Sequence, residues 1–131
     1  MIEFQAAVRV HNRLIDEFGG SKGVRDESQL ESALNRPFAT FDGIDLYPGF
    51  VEKATAIFES LIINHPFMDG NKRIAYSLME VLLRRGGLLL VASEDDKYSL
   101  VISASTGEFR FEEIKNWIDA KAQPITSIKI P

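Results

Sequence analysis

The chain has 131 residues, 45% of them hydrophobic and 26% charged, the balance of one soluble globular domain over residues 1–131 with room for a single core. It has no cysteine, which excludes disulfides and thiolate chemistry, and its two histidines, His11 and His65, lack the Cys or second-His spacing of a zinc site. A net charge of −4 argues against direct nucleic-acid binding, and no apolar run is long enough to span a membrane.

The N-terminus, MIEFQAAVRVHNRL, has the mixture of a helix and not the charged patch, apolar run and cleavage site of a signal peptide. The chain is therefore read as cytoplasmic and unprocessed. Phe4, Ala7, Val8, Leu14, Ile15 and Phe18 recur at helical spacing until Gly19-Gly20. Asp26, with Gln29 three residues on, caps a second helix carrying Leu30, Ala33 and Leu34, which Pro37 stops. Between Phe38 and Phe50, aromatic and β-branched residues surround Asp42-Gly43 and precede Pro48-Gly49, the signature of a short hairpin or flap.

A third helix follows, with Ala54, Ile57, Phe58, Leu61 and Ile62 on one face. It ends near Asn64, because Pro66 disfavours helical geometry at His65. A fourth begins near Asn71 and carries Ile74, Leu78, Val81 and Leu82 up to Gly86-Gly87. Leu88 to Val91 reads as a short buried run. Ser93 and Asp96 open a fifth helix with Leu100, Val101 and Ala104, and Phe111, Ile114, Trp117 and Ile118 mark a sixth with Trp117 in the core. The tail PITSIKIP alternates at Ile125, Ile128 and Ile130, as an edge strand, a docking strip or a frayed end would. The class is all-α, a bundle of about six helices with a short β-hairpin flap.

Chemistry concentrates between His65 and Arg73, in the run HPFMDGNKR. A loop feeding a helix N-terminus presents unpaired N–H groups and the positive end of a dipole, an anion site. Gly70 allows close backbone approach. Lys72 and Arg73 put positive charge where the dipole favours Asp or Glu, a conflict that a bound phosphate resolves. Asp69 is a hard oxygen ligand suited to magnesium, and His65 is the nearby group able to accept a proton at neutral pH. Base, metal ligand and phosphate donors together describe phosphoryl or nucleotidyl transfer.

These residues resemble the signature of the Fic/Doc family, roughly H-P-F-x-D/E-G-N-G/K-R, at every specified position. FGGSKGVRDESQLESALNRPFATFDG, LYPGF and the RRGG stretch resemble the small Doc branch, so that the likeness covers about residues 1 to 120. The resemblance implies that His65 deprotonates a target hydroxyl, Phe67 anchors the loop and Asp69 holds Mg2+ on the phosphates of ATP. It further implies that Gly70 and Asn71 line the anion hole with Lys72 beside them, that Arg73 grips a phosphate, and that Ala39, Thr40, Phe41, Asp42 and Gly43 form a flap docking the target by strand addition. Doc toxins are encoded beside an antitoxin, so a Phd-like antitoxin and a target in the translation machinery are the implied partners. The implied activity is phosphorylation of elongation factor Tu, which halts translation.

Two positions depart from the nucleotidyl-transferring members: Lys72 stands where they have Gly, and Tyr76 where they have a second Arg. Both departures are shared with Doc. No self-inhibitory pattern is complete, since Thr55 to Glu59 is followed by Ser60, and any restraint is expected from another chain.

Each residue also has a plainer reading. Asp69 alone is an N-cap, and Lys72 and Arg73 alone are a solvated first turn. His11 reads as a surface or partly buried helical histidine, and Arg25 as loop closure with a supporting role implied by the resemblance. AMP transfer and an inactive toxin–antitoxin binding module remain the competing functions.

Overall fold

In the computed structural model, residues 1–127 are described. Among the described residues there are six α-helices and two small two-stranded antiparallel sheets, of which only β1–β2 is a hairpin: α1 (Phe4–Phe18), α2 (Glu27–Asn35), β1 (Thr40–Phe41), β2 (Ile44–Asp45), α3 (Phe50–Asn64), α4 (Asn71–Arg85), β3 (Leu88–Leu90), α5 (Glu94–Ser105), α6 (Phe111–Lys121) and β4 (Ala122–Pro124). Short 3-10 turns follow α2 at Arg36–Phe38 and β4 at Ile125–Ser127. The expected helical class, helix order and flap are all present.

Helix α3 is the centre of the bundle. Every residue from Lys53 to Ile62 is buried, and α2, α4, α5 and α6 all pack on it. A helix covered all round must pair its polar side chains. Lys53 bonds Tyr47 O and approaches Asp45 at 3.6 Å, and Thr55 donates to Val51 O at 2.7 Å. Glu59 meets Arg36 at 3.0 Å and Arg110 at 3.4 Å, which ties α3 to the end of α2 and the start of α6. Phe58, Leu61, Ile74, Leu78, Leu82, Leu100 and Ile114 fill the core around it.

Helix boundaries follow the local signals. Asp26 accepts from Gln29 N–H at 3.1 Å, and the Ser93 hydroxyl accepts from Asp96 N–H at 3.1 Å. In the flap, Asp42 and Gly43 both take positive φ, at 52° and 73°. That is the tight hairpin turn whose twist matches its strands. The run after α4 differs from expectation. Leu88–Leu90 is half-buried and Val91 is exposed, because the run is a strand paired with Ala122–Pro124 rather than a core segment. Trp117 is only partly buried, packed against the core from its edge. Of the expected tail, Ile125–Ser127 is a 3-10 turn and not a strand, the strand lying just before it at Ala122–Pro124, and Ile128 and Ile130 lie outside the described residues.

Candidate active site at the start of helix α4

The turn between α3 and α4 holds the motif residues. Pro66 denies His65 a helical conformation, and His65 caps α3 in the left-handed region at φ 46°, ψ 57°, an unfavourable place for a residue with a Cβ. Arg25 holds it there: its Nε donates to His65 O at 2.7 Å and its Nη2 to Asn64 O at 2.8 Å. The imidazole is exposed and takes no hydrogen bond from the described residues. It lines a cavity of about 250 Å³ with Ile62, Ser105, Thr106 and Arg110.

The loop is strapped down by the α1–α2 connector. Arg25 N–H and Asp26 N–H both donate to Pro66 O, at 2.8 and 3.1 Å, Met68 N–H donates to Gly23 O at 3.0 Å, and Val24 bridges Phe67. Phe67, 1% exposed, stacks on His11 with ring centroids 3.9 Å apart and planes 9° from parallel. The Asn71 side chain closes the turn from within, accepting from Phe67 N–H and donating to Phe67 O, both at 3.0 Å.

Gly70 opens α4 at φ 71° with no side-chain cap. The first backbone bond of the helix runs from Ile74 N–H to Gly70 O at 3.1 Å, so the N–H groups of Asn71, Lys72 and Arg73 precede it. Asp69 is therefore not the N-cap its position suggested. Its Oδ1 accepts from Gly70 N–H at 2.8 Å and its Oδ2 from Ser21 N–H at 3.1 Å. The carboxylate is exposed and each oxygen keeps a further lone pair. One carboxylate of this kind suits magnesium that arrives with phosphate oxygens, and the described residues contain no cluster of three or more His, Asp or Glu able to hold a metal by themselves.

Lys72 and Arg73 are exposed on the first turn of α4, and the Arg73 guanidinium lies 4.2 Å over the Phe18 ring. Both line a second cavity, of about 660 Å³, together with Leu14, Phe18, Tyr76 and Lys97. Burial pushes the Tyr76 phenol well up from its usual value, with Glu80 and Glu94 adding to it, and its hydroxyl has no partner among the described residues. The structure thus brings Asp69 to Arg73 into one turn, but His65 and the two basic side chains face different openings. None of Ala39, Thr40, Phe41, Asp42 or Gly43 lines either cavity. In the flap, Phe41, Ile44 and Leu46 are exposed.

Sequence reasoning missed His11. It is 1% exposed, and its Nε2 lies 2.7 Å from Asp69 O. The signal was available in the four-residue spacing of Ala7, His11 and Ile15, all on the buried face of α1.

An uncapped helix start flanked by Lys72 and Arg73 is suited to an anion, and an exposed histidine precedes it in the same turn. Residues 2–83, spanning α1 to the last turn of α4, match the Fic/DOC family, and the chain belongs to that family. The chain is 44% identical over 78 residues to a protein named Toxin Doc from Mycolicibacterium smegmatis, a match covering 60% of each chain. It is 27% identical over 107 residues to a protein named Protein kinase doc from Escherichia phage P1, covering 82% of this chain and 83% of the relative. No helix among the described residues is long and apolar enough to cross a membrane.

Proposed function

We propose that this chain is a Doc-type toxin that transfers the γ-phosphate of a nucleoside triphosphate to a Ser or Thr hydroxyl of a protein in the translation machinery, elongation factor Tu being the leading candidate. The observation that carries the reading is the uncapped start of α4 at Gly70, flanked by Asp69, Lys72 and Arg73 and preceded by the exposed His65. One relative is named a toxin and the other a protein kinase, which favours phosphate transfer in the same direction.

In this reading the N–H groups of Asn71, Lys72 and Arg73 receive phosphate oxygens, and the Arg73 guanidinium, steadied over Phe18, adds charge to that grip. Magnesium would be held by Asp69 and neutralise charge on the phosphates. His65 takes the proton of the target hydroxyl, whose oxygen then forms a bond to the γ-phosphorus while the bond from that phosphorus to the β-phosphate oxygen breaks, leaving the nucleoside diphosphate. Lys72 favours this outcome over AMP transfer, because its ammonium offers a point charge to a terminal phosphate where glycine would leave backbone open to a bridging one. Tyr76, with its hydroxyl buried, supplies no second guanidinium.

Restraint falls to a second chain, a Phd-like antitoxin, since Glu59 is held in the core by Arg36 and Arg110 and does not reach the loop. The test is transfer to purified elongation factor Tu from ATP labelled at either end. Label from the γ-position is expected on the target, label from the α-position is not, and His65→Ala should lower the rate by about 10²–10⁴-fold. Labelling from the α-position alone would establish AMP transfer instead. A His65→Ala protein that works at the wild-type rate would remove His65 as the base.

A further inference from the structure

We propose that His11 is a positioning residue for this site, fixing the Asp69–Gly70 peptide through its Nε2–H while its ring carries Phe67. The inference rests on reading the α4 start as the phosphate site. A carbonyl oxygen only accepts, so the 2.7 Å contact between His11 Nε2 and Asp69 O places a proton on Nε2. The other ring nitrogen, Nδ1, is buried and has no partner among the described residues.

That unpaired nitrogen decides between two explanations of a buried histidine. If the residue served packing alone, a phenylalanine would stack on Phe67 equally well without burying an unsatisfied polar atom, which is costly. Histidine at this place is a burden on stability unless Nε2 is needed. What Nε2 holds is the peptide on which the site turns. Asp69 O belongs to the residue whose carboxylate is the metal ligand of the reading above, and the next N–H is that of Gly70, the residue that opens α4.

The surroundings leave that peptide little other support from beneath. A Cβ at Gly70 would lie 3.1 Å from Ile15 Cδ1 and 3.4 Å from His11 Nε2. Two successive turns of α1 thus form the floor under the loop, Ile15 by contact and His11 by its hydrogen bond. The bond needs only the proton on Nε2.

The experiment separates ring from donor. His11→Phe keeps an aromatic face and loses the donor, whereas His11→Gln keeps a donor near the position of Nε2 and loses the ring. On the full chain, melting temperature, γ-label transfer below the melting range, and backbone amide order parameters of Gly70 and Asn71 are measured. His11→Phe is expected to melt no lower than wild type, to lose at least about tenfold in kcat, and to drop its Gly70 order parameter from about 0.85 toward 0.6. His11→Gln is expected to melt lower, yet to keep kcat within about threefold and Gly70 ordered. Activity and loop order that follow the ring instead of the donor would overturn the proposal, as would a His11→Phe protein unchanged in both. If wild-type protein transfers no phosphate at all, the functional reading falls, and the order parameters alone decide whether His11 holds the loop.

Discussion

Arg25→Ala should disable the site from a distance by releasing the backbone of the proposed base. The guanidinium donates to Asn64 O and His65 O, two carbonyls at the end of α3 that have no intrahelical partner and carry the negative end of its dipole. Arg25 is exposed, so each of these charge-assisted bonds contributes less than a buried one, about 1 kcal/mol. Against them stands the left-handed conformation of His65, which costs about 1–2 kcal/mol for a residue with a Cβ. The two terms are of similar size, so without Arg25 nothing of comparable strength keeps His65 in that conformation. Melting should fall by a few degrees, at roughly 3–5 °C per kcal/mol lost for a domain of this length. Turnover should fall about 10²-fold as the imidazole loses its orientation, with the KM for nucleotide changed far less, because Asp69 to Arg73 keep their own bonds to Ser21, Gly70 and Phe67. Arg25→Lys, able to reach one carbonyl at a time, should fall between. Calorimetry together with γ-label transfer, assayed well below both melting points, measures both quantities. A variant that melts lower but keeps the wild-type kcat per folded molecule would show that Arg25 caps a helix and does nothing for the base.

Other perturbations test other parts of the argument. Gly70→Ala forces a side chain into the left-handed region and within 3.1 Å of Ile15 Cδ1; it should cost about 1–2 kcal/mol in urea denaturation and weaken Mg-ATP binding in a calorimetric titration, and a wild-type result in both would show that the turn is free to adjust. Tyr76→Phe removes a buried hydroxyl that has no partner among the described residues. Since such a group costs about 1–3 kcal/mol, the variant should be more stable to urea, and a loss of stability would mean the hydroxyl is satisfied in solution. The Asp26 carboxyl is held below its usual 3.8 first by Gln29 N–H and then by the Ser28 hydroxyl. A lowered folded value contributes stability above pH 4 that is lost as the pH falls through it, so Asp26→Asn should flatten the melting curve against pH in the acid range, and an unchanged acid slope would count against the cap.

The helices were legible because punctuation and periodicity agreed. Pro66 ends α3 at Asn64, Gly86-Gly87 ends α4, and Asp42-Gly43 marks the flap turn. The motif itself was legible as a set of chemical groups: a base, a carboxylate, a glycine and two cations. What could not be read was how the loop is held. His11 lies 58 residues from Asp69 in sequence, Ser21 lies 48 away, and Arg25 is 40 from His65, separations at which no local pattern operates. The plainer reading of Asp69 as a cap considers only its own neighbours in sequence, whereas one carboxylate oxygen accepts from Ser21 N–H in the α1–α2 connector. Leu88–Leu90 was misjudged for the same reason, its partner strand being Ala122–Pro124.

The strap between the α1–α2 connector and the motif loop bears on how the molecule folds. The bonds from Gly23, Arg25 and Asp26 to residues 65–68 all close long stretches of chain, and the entropy of such closures grows only slowly with length. They become favourable together, when α1 and α2 dock on α3 and α4, so the loop has no route to its final shape by local folding. Opening the N-terminal helices should accordingly dismantle the site while α3 and α4 are still packed, making loss of the loop an early event in unfolding rather than its last step. A protease that nicks the exposed connector near Gly23 would then release the motif loop before the core is exposed.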